Sequence, residues 1–474
     1  MEKEGCSLTT QFKIKIREVI EMAGLFALSI NSKKYQGNFL DDLFWGTFYQ
    51  QHASEEYSGL STYNPTRDKI EIRTHRGLFR PTFSEDLLGL EGTEGIGYCG
   101  IAREPFFVDS RPGKLSACFS GNLINCLELI DRFKDFGHTF ERGDDIEIIT
   151  KLIAQKNNVI EGIKKAGEEI KGAYSLLILT VEGIYLARCP SAHWPLVIGE
   201  KKGAVVVASE SGGFLNRGFK LVRSLEPGEI VLMKNGSYET KDKIAGDKIQ
   251  FCSFLWVYSA FANGVFEGIS ASAVRKRLAA TLARQDIERG FIPDIVISIP
   301  DSGRFHGIGY HQEFCRQMNE DKIKKIPIYD EALLKYPYAG RSFTPQTEEA
   351  RELEANIKIL ESGENCYQGK EVVVCDDSLV RGVQTRANLV PKLRALGVKG
   401  IHFRISNPEL RSHCPWGKTT KKGETLAHRF PSKEDRIRVL GIESLEYNTI
   451  DGLVDAIGLP REQLCVDCDL DLPE

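Results

Sequence analysis

The residues with the most chemical content lie between Glu371 and Gly382 of the 474-residue chain, in the run Glu-Val-Val-Val-Cys-Asp-Asp-Ser-Leu-Val-Arg-Gly. The valines and Cys375 read as a buried strand, Asp376 and Asp377 stand at its carboxyl end, and Ser378 to Gly382 form a small-residue loop. A helix beginning near Gln384 points unpaired backbone N–H groups and its positive dipole end at that loop, where a phosphate is stabilised. Two carboxylates at the end of a parallel strand accept hydrogen bonds from the vicinal hydroxyls of a ribose. The layout is that of a sugar-phosphate site. Taken alone, an Asp-Asp pair after a strand is also an ordinary surface turn.

Other elements must hold this loop in place. An Arg/Lys-rich helical period runs from Ala271 to Gly290, a buried strand from Asp294 to Pro300, another from Lys370 to Cys375, and a helix from Gln384 to Leu396. Such strand–helix alternation predicts an α/β domain with a parallel sheet. The strand ending at Pro300 leads into Asp301-Ser302-Gly303 and then Gly307-Ile308-Gly309-Tyr310. Between the two loops stand Tyr338-Ala339-Gly340-Arg341-Ser342-Phe343, then Gln346, Arg351 and Lys358, a composition that alone marks only a solvated loop.

In order and spacing these three segments resemble the type I phosphoribosyltransferases, and further matches over nearly the whole chain resemble the glutamine-dependent amidophosphoribosyltransferases that open purine synthesis. The resemblance implies phosphoribosyl pyrophosphate (PRPP) as substrate with Mg²⁺ as cofactor. Asp301, Ser302 and Gly303 then serve the pyrophosphate, and Ser302, Asp376 and Asp377 serve the magnesium. Ser378, Val380, Arg381, Gly382, Thr385 and Lys358 bind PRPP, while Arg341 sits on a loop that closes over it. Asp376, Asp377 and Arg341 are the expected catalytic residues. Two departures bear on the reaction: Val383-Gln384-Thr385 stands where the family has Thr-Thr-Ser, and Ser259-Ala260-Phe261-Ala262-Asn263 where it has Arg-Pro-Asp.

Composition fits a large enzyme. The chain is long enough for two or three domains with full cores. A net charge of −4, with no basic domain and no long like-charge run, disfavours nucleic-acid and membrane-surface partners. No apolar run reaches the ~18 residues of a spanning helix. Lys13, Lys15, Arg17 and Glu18 interrupt the apolar residues of the first segment, so a signal peptide is not expected and the cytoplasm is the default.

Twelve cysteines in such a chain raise the question of metal before disulfides. Cys465 and Cys468 form a C-x-x-C, and Cys252 and Cys414 stand far from it in sequence. In the branch of the family that carries a 4Fe–4S cluster, ligands fall at the positions of Cys252, Cys414, Cys465 and Cys468. Four thiolates suit that cluster or tetrahedral Zn²⁺, and spacing alone does not choose. The other cysteines (Cys6, Cys99, Cys118, Cys126, Cys189, Cys315, Cys366 and Cys375) read as small core residues.

The N-terminal half is expected to be an α+β, N-terminal-nucleophile hydrolase-like αββα sandwich over 23–245, after an extension of 1–22, with the transferase domain over 246–474. Gly172-Ala173-Tyr174-Ser175, Ala208-Ser209-Glu210-Ser211 and Leu225-Glu226-Pro227-Gly228-Glu229 match scaffold strings of the family, and Ile178 to Tyr185 reads as strand. The boundary is placed in the polar segment Asn235 to Asp247. Its catalytic positions depart from the resemblance. Ala23 stands where the nucleophilic cysteine belongs, Ala53 and Gly100 replace arginines, and Ser120-Gly121 replaces Asn-Gly in the oxyanion hole. Asp145 matches a substrate-binding aspartate but equally caps the helix that follows. The sequence therefore predicts a glutaminase-shaped domain without glutaminase chemistry. The transferase half takes ammonia, ammonia supplied by a separate glutaminase, or another amine, in a homo-oligomer (dimer or tetramer). The alternative is a non-catalytic PRPP- or nucleotide-sensing relative.

Overall fold

The computed structural model describes residues 22–83, 86–246, 248–335, 365–417 and 422–471. In its N-terminal half, β1 (Gly24–Ile30), β2 (Tyr57–Asn64), β3 (Lys69–Arg76) and β4 (Glu94–Gly100) belong to one sheet, and β5 (Phe106–Ser110), β6 (Gly113–Leu123), β7 (Gly172–Leu179) and β8 (Ile184–Arg188) to a second. The first is completed by β9 (Val197–Lys201), β10 (Ala204–Ala208) and β11 (Lys220–Ser224), the second by β12 (Glu229–Lys234) and β13 (Ser237–Lys243). The orders are β11-β9-β10-β1-β4-β2-β3 and β13-β12-β8-β7-β6-β5, antiparallel throughout.

Alternation along β1 assigns its faces. Leu25 and Ala27 pack with Leu177 and Leu179 of β7 between the sheets, whereas Phe26 and Leu28 turn to the outer core with Leu43 of α1 (Phe39–Phe48) and Phe79 of α2 (Phe79–Phe83). Leu176 and Ile178 of β7 face instead the core shared with α4 (Asp145–Ala154) and α5 (Val159–Glu169), which follow α3 (Cys126–Asp135). The result is the expected αββα sandwich. Two local expectations change. Ile178 to Tyr185 is not one strand but the hairpin of β7 and β8, because Thr180 N–H and its hydroxyl both bond the Gly183 carbonyl at 2.9 Å and turn the chain. The polar segment 235–247 is largely the edge strand β13, whose outward side chains are polar because one side of it meets solvent.

After the short strands β14 (Phe251–Cys252), β15 (Val265–Phe266) and β16 (Ile269–Ser270), the transferase half forms a parallel sheet. Its strands are β17 (Ile295–Ser298), β18 (Ile328–Tyr329), β19 (Glu371–Asp376), β20 (Gly400–Ile405) and β21 (Ser444–Tyr447), in the order β18-β17-β19-β20-β21. Val372 and Val374 enter one core and Val373 and Cys375 the other. The second core lies under α6 (Ala271–Glu288) and α7 (Arg304–Asn319), through Leu282 and Phe314. With both faces covered, the strands read as continuous apolar runs. Finally β22 (Leu464–Cys465) returns the tail alongside β14, pairing Cys465 with Cys252. Among the described residues no helix is long and apolar enough to cross a membrane.

A buried ion pair fastens α6 to the sheet. Arg404 Nε and Nη2 donate to Asp286 Oδ2 and Oδ1 at 2.5 and 3.0 Å, and the Tyr310 hydroxyl of α7 donates to the same carboxylate at 2.6 Å. Asp286→Ala strands the Arg404 guanidinium in the core, and urea denaturation is expected to register a loss of about 3–5 kcal/mol. A loss under ~1 kcal/mol would show that water reaches the pair.

Candidate functional site at the ends of β17 and β19

In the parallel sheet, β17 has β18 on one side and β19 on the other, so the chain reverses its direction of progress there. Ligands of open α/β sheets bind in the crevice outside the carboxyl ends of the strands at such a point. The register Ser298↔Cys375 brings the loops after both strands side by side. Gly303 allows the close approach: a Cβ there would lie 2.6 Å from the Cys375 carbonyl oxygen.

A cavity of about 670 Å³ opens at this place, and Pro300, Ser302, Asp376, Asp377 and the loop Ser378 to Thr385 all line it. Asp377 donates its backbone N–H to Asp376 Oδ1 at 2.9 Å, and the Ser378 hydroxyl donates to Asp377 Oδ2 at 2.6 Å. Asp376 is recessed in the cavity wall. Burial, then the charge of Asp377, raises its carboxyl well above the usual range, while a hydrogen bond from the Ser302 side chain opposes the rise. Two crowded carboxylates and a hydroxyl make an oxygen-donor set that suits a hard divalent cation. Gly382 turns the loop at φ +68°, a conformation that strains other residues. Beyond it, a π-helical turn Thr385–Leu389 precedes the α-helix Val390–Ala395. Pro391 has no N–H to donate, and the wider turn accommodates the missing bond. Arg381 Nε donates to Glu424 Oε2 at 3.0 Å, holding the segment around Glu424 over the loop.

The structure gathers Ser302, Asp376, Asp377, Ser378, Val380, Arg381, Gly382 and Thr385, with Val383 and Gln384 beside them. Asp301 is different. It turns outward, more than half exposed, and pairs with Arg304 at 3.9 Å and Lys335 at 3.7 Å. Arg341 and Lys358 lie outside the described residues. The segment Ser259 to Asn263 is held from two sides: Arg275 of α6 donates to the Tyr258 and Ala260 carbonyls at 3.1 and 2.7 Å, and Phe261 N–H donates to Glu210 Oε2 at 2.8 Å.

Cys252, Cys414, Cys465 and Cys468 line the same cavity. Burial is the leading cause of the shift in each thiol, pushing Cys252 up to about 12 and Cys414 up to about 11 and raising Cys465 and Cys468 as well. The thiols also act on one another: Cys414 raises Cys252, and Cys414, Cys252 and Cys465 raise Cys468. Among the described residues no three His, Cys, Asp or Glu side chains gather tightly enough for a single metal ion. Of the remaining cysteines, Cys99, Cys118, Cys189 and Cys375 are buried and Cys126 and Cys315 half-buried, but Cys366 is exposed on a short turn and is not a core residue, and Cys6 lies outside the described residues.

In the N-terminal half, Ala23 is buried in the core between the sheets, and Met22 before it is buried in the core with Phe119 and Tyr174. The Ser209 hydroxyl accepts from Leu25 N–H and donates to the Ala23 carbonyl at 3.0 and 3.2 Å. At Gly100 a Cβ would lie 2.0 Å from the Tyr98 hydroxyl, itself fixed by the Ala102 N–H at 3.2 Å. Ser120 is buried in β6, and a Cβ at Gly121 would lie 2.1 Å from the Ala173 carbonyl. Asp145 is not the helix cap. Asp144 caps α4 by accepting from Glu147 N–H, while Asp145 Oδ2 accepts from Leu123 N–H at 3.3 Å.

Among the cavity-wall residues that sequence reasoning misses are His193, Trp194, Glu424 and Arg429. No spacing marks His193 or Trp194, which arrive from the N-terminal half, and Glu424 follows a lysine-rich stretch that reads as solvated surface.

A glutamine amidotransferase domain model matches residues 101–216. The amidophosphoribosyltransferase of Methanothermobacter thermautotrophicus is 31% identical over 467 residues, 95% of this chain and 94% of that protein. The mouse amidophosphoribosyltransferase is 30% identical over 445 residues, 86% and 83% of the two chains. The structure of glutamine PRPP amidotransferase from B. subtilis, complexed with ADP and GMP, superposes with a TM-score of 0.81 at 27% identity, over 94% of this chain and 96% of that one. With an antiparallel sandwich and a parallel-sheet domain in the same order, and identity at this level along almost its whole length, the chain belongs to the amidophosphoribosyltransferase family.

Proposed function

We propose that the protein transfers the phosphoribosyl group of PRPP to ammonia or another amine and that its glutaminase-like half hydrolyses no glutamine. The observation that carries the transferase reading is the convergence of Ser302, Asp376 and Asp377 on one cavity at the switch point of the sheet. Asp376 and Asp377 hold the ribose hydroxyls and the 378–385 loop holds the 5′-phosphate. The amine lone pair attacks C1 of the ribose, the bond from C1 to the pyrophosphate oxygen breaks, and the amine loses a proton. Ser302, Asp376 and Asp377 would hold Mg²⁺, which would supply charge neutralisation of the pyrophosphate. Positioning and exclusion of water account for most of the rate. Binding without turnover is the second reading. It is favoured by Val383 and Gln384, which face the cavity where hydroxyls are expected against the 5′-phosphate.

Loss of glutaminase chemistry rests on the packing around Ala23 and Gly100. A methyl group forms no thioester, Met22 is joined to it in peptide linkage and buried, and the Tyr98 hydroxyl fills the space of a side chain at position 100. Ammonia then comes from solution or from a separate glutaminase. The four cysteines are proposed to hold a 4Fe–4S cluster in preference to Zn²⁺, because they stand at the ligand positions of the cluster-bearing branch of the family, line one cavity and repel one another as thiolates unless a cation lies among them. A cytoplasmic location is proposed, in keeping with free thiols of this kind. A dimer or tetramer is proposed on the resemblance alone.

Calorimetry with PRPP and Mg²⁺ is expected to show binding that falls roughly tenfold or more, about 1.5–3 kcal/mol, in Asp377→Ala and stays unchanged in Ser120→Ala. No binding by the native protein rules out the donor assignment, whereas binding without pyrophosphate release for any amine selects the sensor. Glutamate release from glutamine is expected to stay at background, and release above it would mean that another group replaces the missing thiol. Protein purified without oxygen is expected to be brown with stoichiometric iron. Colourless protein containing zinc would sink the cluster.

A further inference from the structure

Two side chains on the wall of the four-cysteine cavity, His193 and Trp194, come from the other half of the molecule. His193 lies on the connection from β8 to β9, is 1% exposed, and lines the cavity with Cys252, Cys414, Cys465 and Cys468. Neither ring nitrogen makes a well-aligned hydrogen bond in the protein; the Gln250 backbone is the nearest partner, and it is poorly aligned with the ring. Buried imidazoles are normally satisfied at both nitrogens, and the Gln250 backbone can serve only one of them, so the other points to a group that occupies the cavity. The ring is also held in place. It packs against Trp194 at 5.2 Å and Trp416 at 5.5 Å between centroids, and the Trp416 indole N–H is fixed by Asp467 Oδ2 at 2.7 Å. Trp416 and Asp467 each lie close in sequence to a cysteine of the set, so the stack registers the imidazole to the thiols. Asn122 of β6 adds a second tie, donating to the Pro415 carbonyl at 3.3 Å.

We propose that His193 donates its ring N–H to a sulfur of the iron–sulfur cluster, so that the glutaminase-like half completes a site whose ligands all come from the transferase half. The inference rests on the cluster reading above. A cluster on four thiolates is rich in anionic sulfur, a neutral imidazole carries one N–H, and hydrogen bonds to the sulfurs help set the cluster's reduction potential. His193 is thus a positioning residue for the cluster.

Iron analysis of the native protein comes first: without iron both the cluster and this inference fall. With iron present, pulsed electron paramagnetic resonance of the reduced native protein carrying isotope-labelled histidine is expected to show a nitrogen coupling to the cluster spin. That coupling is expected to vanish in His193→Phe at unchanged iron content, and the midpoint potential of that variant to move negative. His193→Gln keeps a donor and is expected to recover part of the shift. An iron-replete native protein with no histidine coupling overturns the assignment even if the Phe variant fails to fold, and so does an unaltered midpoint in a folded His193→Phe.

Discussion

The molecule depends most on the lateral pairing of β17 with β19. A parallel pair cannot be joined by a tight turn, so the chain between them must leave the sheet and return, and on the way it builds α7 and the edge strand β18. The pairing places two loops, distant in sequence, at one crevice. What the crevice can do follows from the few side chains at the strand ends. The ion pair of Asp286 with Arg404 sets α6 against β20, and α6 in turn carries Arg275, which holds the backbone of the opposite cavity wall.

The two halves are joined by polar links over a continuous apolar core. Phe251, Trp256 and Leu278 of the transferase half belong to the same core as Ile149 and Tyr174 of the sandwich. Glu210 accepts from Phe261 N–H while contacting His52 at 2.9 Å, and the nearly inaccessible Arg188 reaches Glu267 at 2.8 Å. The sandwich half is therefore required as a wall of the cavity. Removing it would expose the core and unclose the cavity at His193 and Trp194.

Much of the cavity wall at the strand ends is legible in the sequence because it is contiguous: strand, paired carboxylates, small-residue loop and helix start follow one another, and each carries its own local signal. Both sheet types are legible for the same reason, through the period of their apolar residues. What is lost is whatever depends on distance in space. Asp301 belongs to the right loop, yet its side chain points away from the cavity into cationic neighbours. Ile178 to Tyr185 is apolar on both sides of a turn, so the period runs through a reversal that only backbone hydrogen bonds reveal. His193 has no motif because its meaning comes from a segment of the other half. Asp145 was ambiguous between ligand and cap, and the cap proved to be its neighbour Asp144.

Gly100 and Tyr98 lie on the same strand, and the phenol now stands where a larger side chain at position 100 would have to pass. Neither site is therefore free to mutate alone. An arginine at position 100 collides with a ring only 1% exposed, and shrinking Tyr98 first opens a hole among Leu25, Ile96 and Cys118. A larger side chain at position 100 thus calls for a coupled change at position 98. Packing thus couples the two positions by sterics alone.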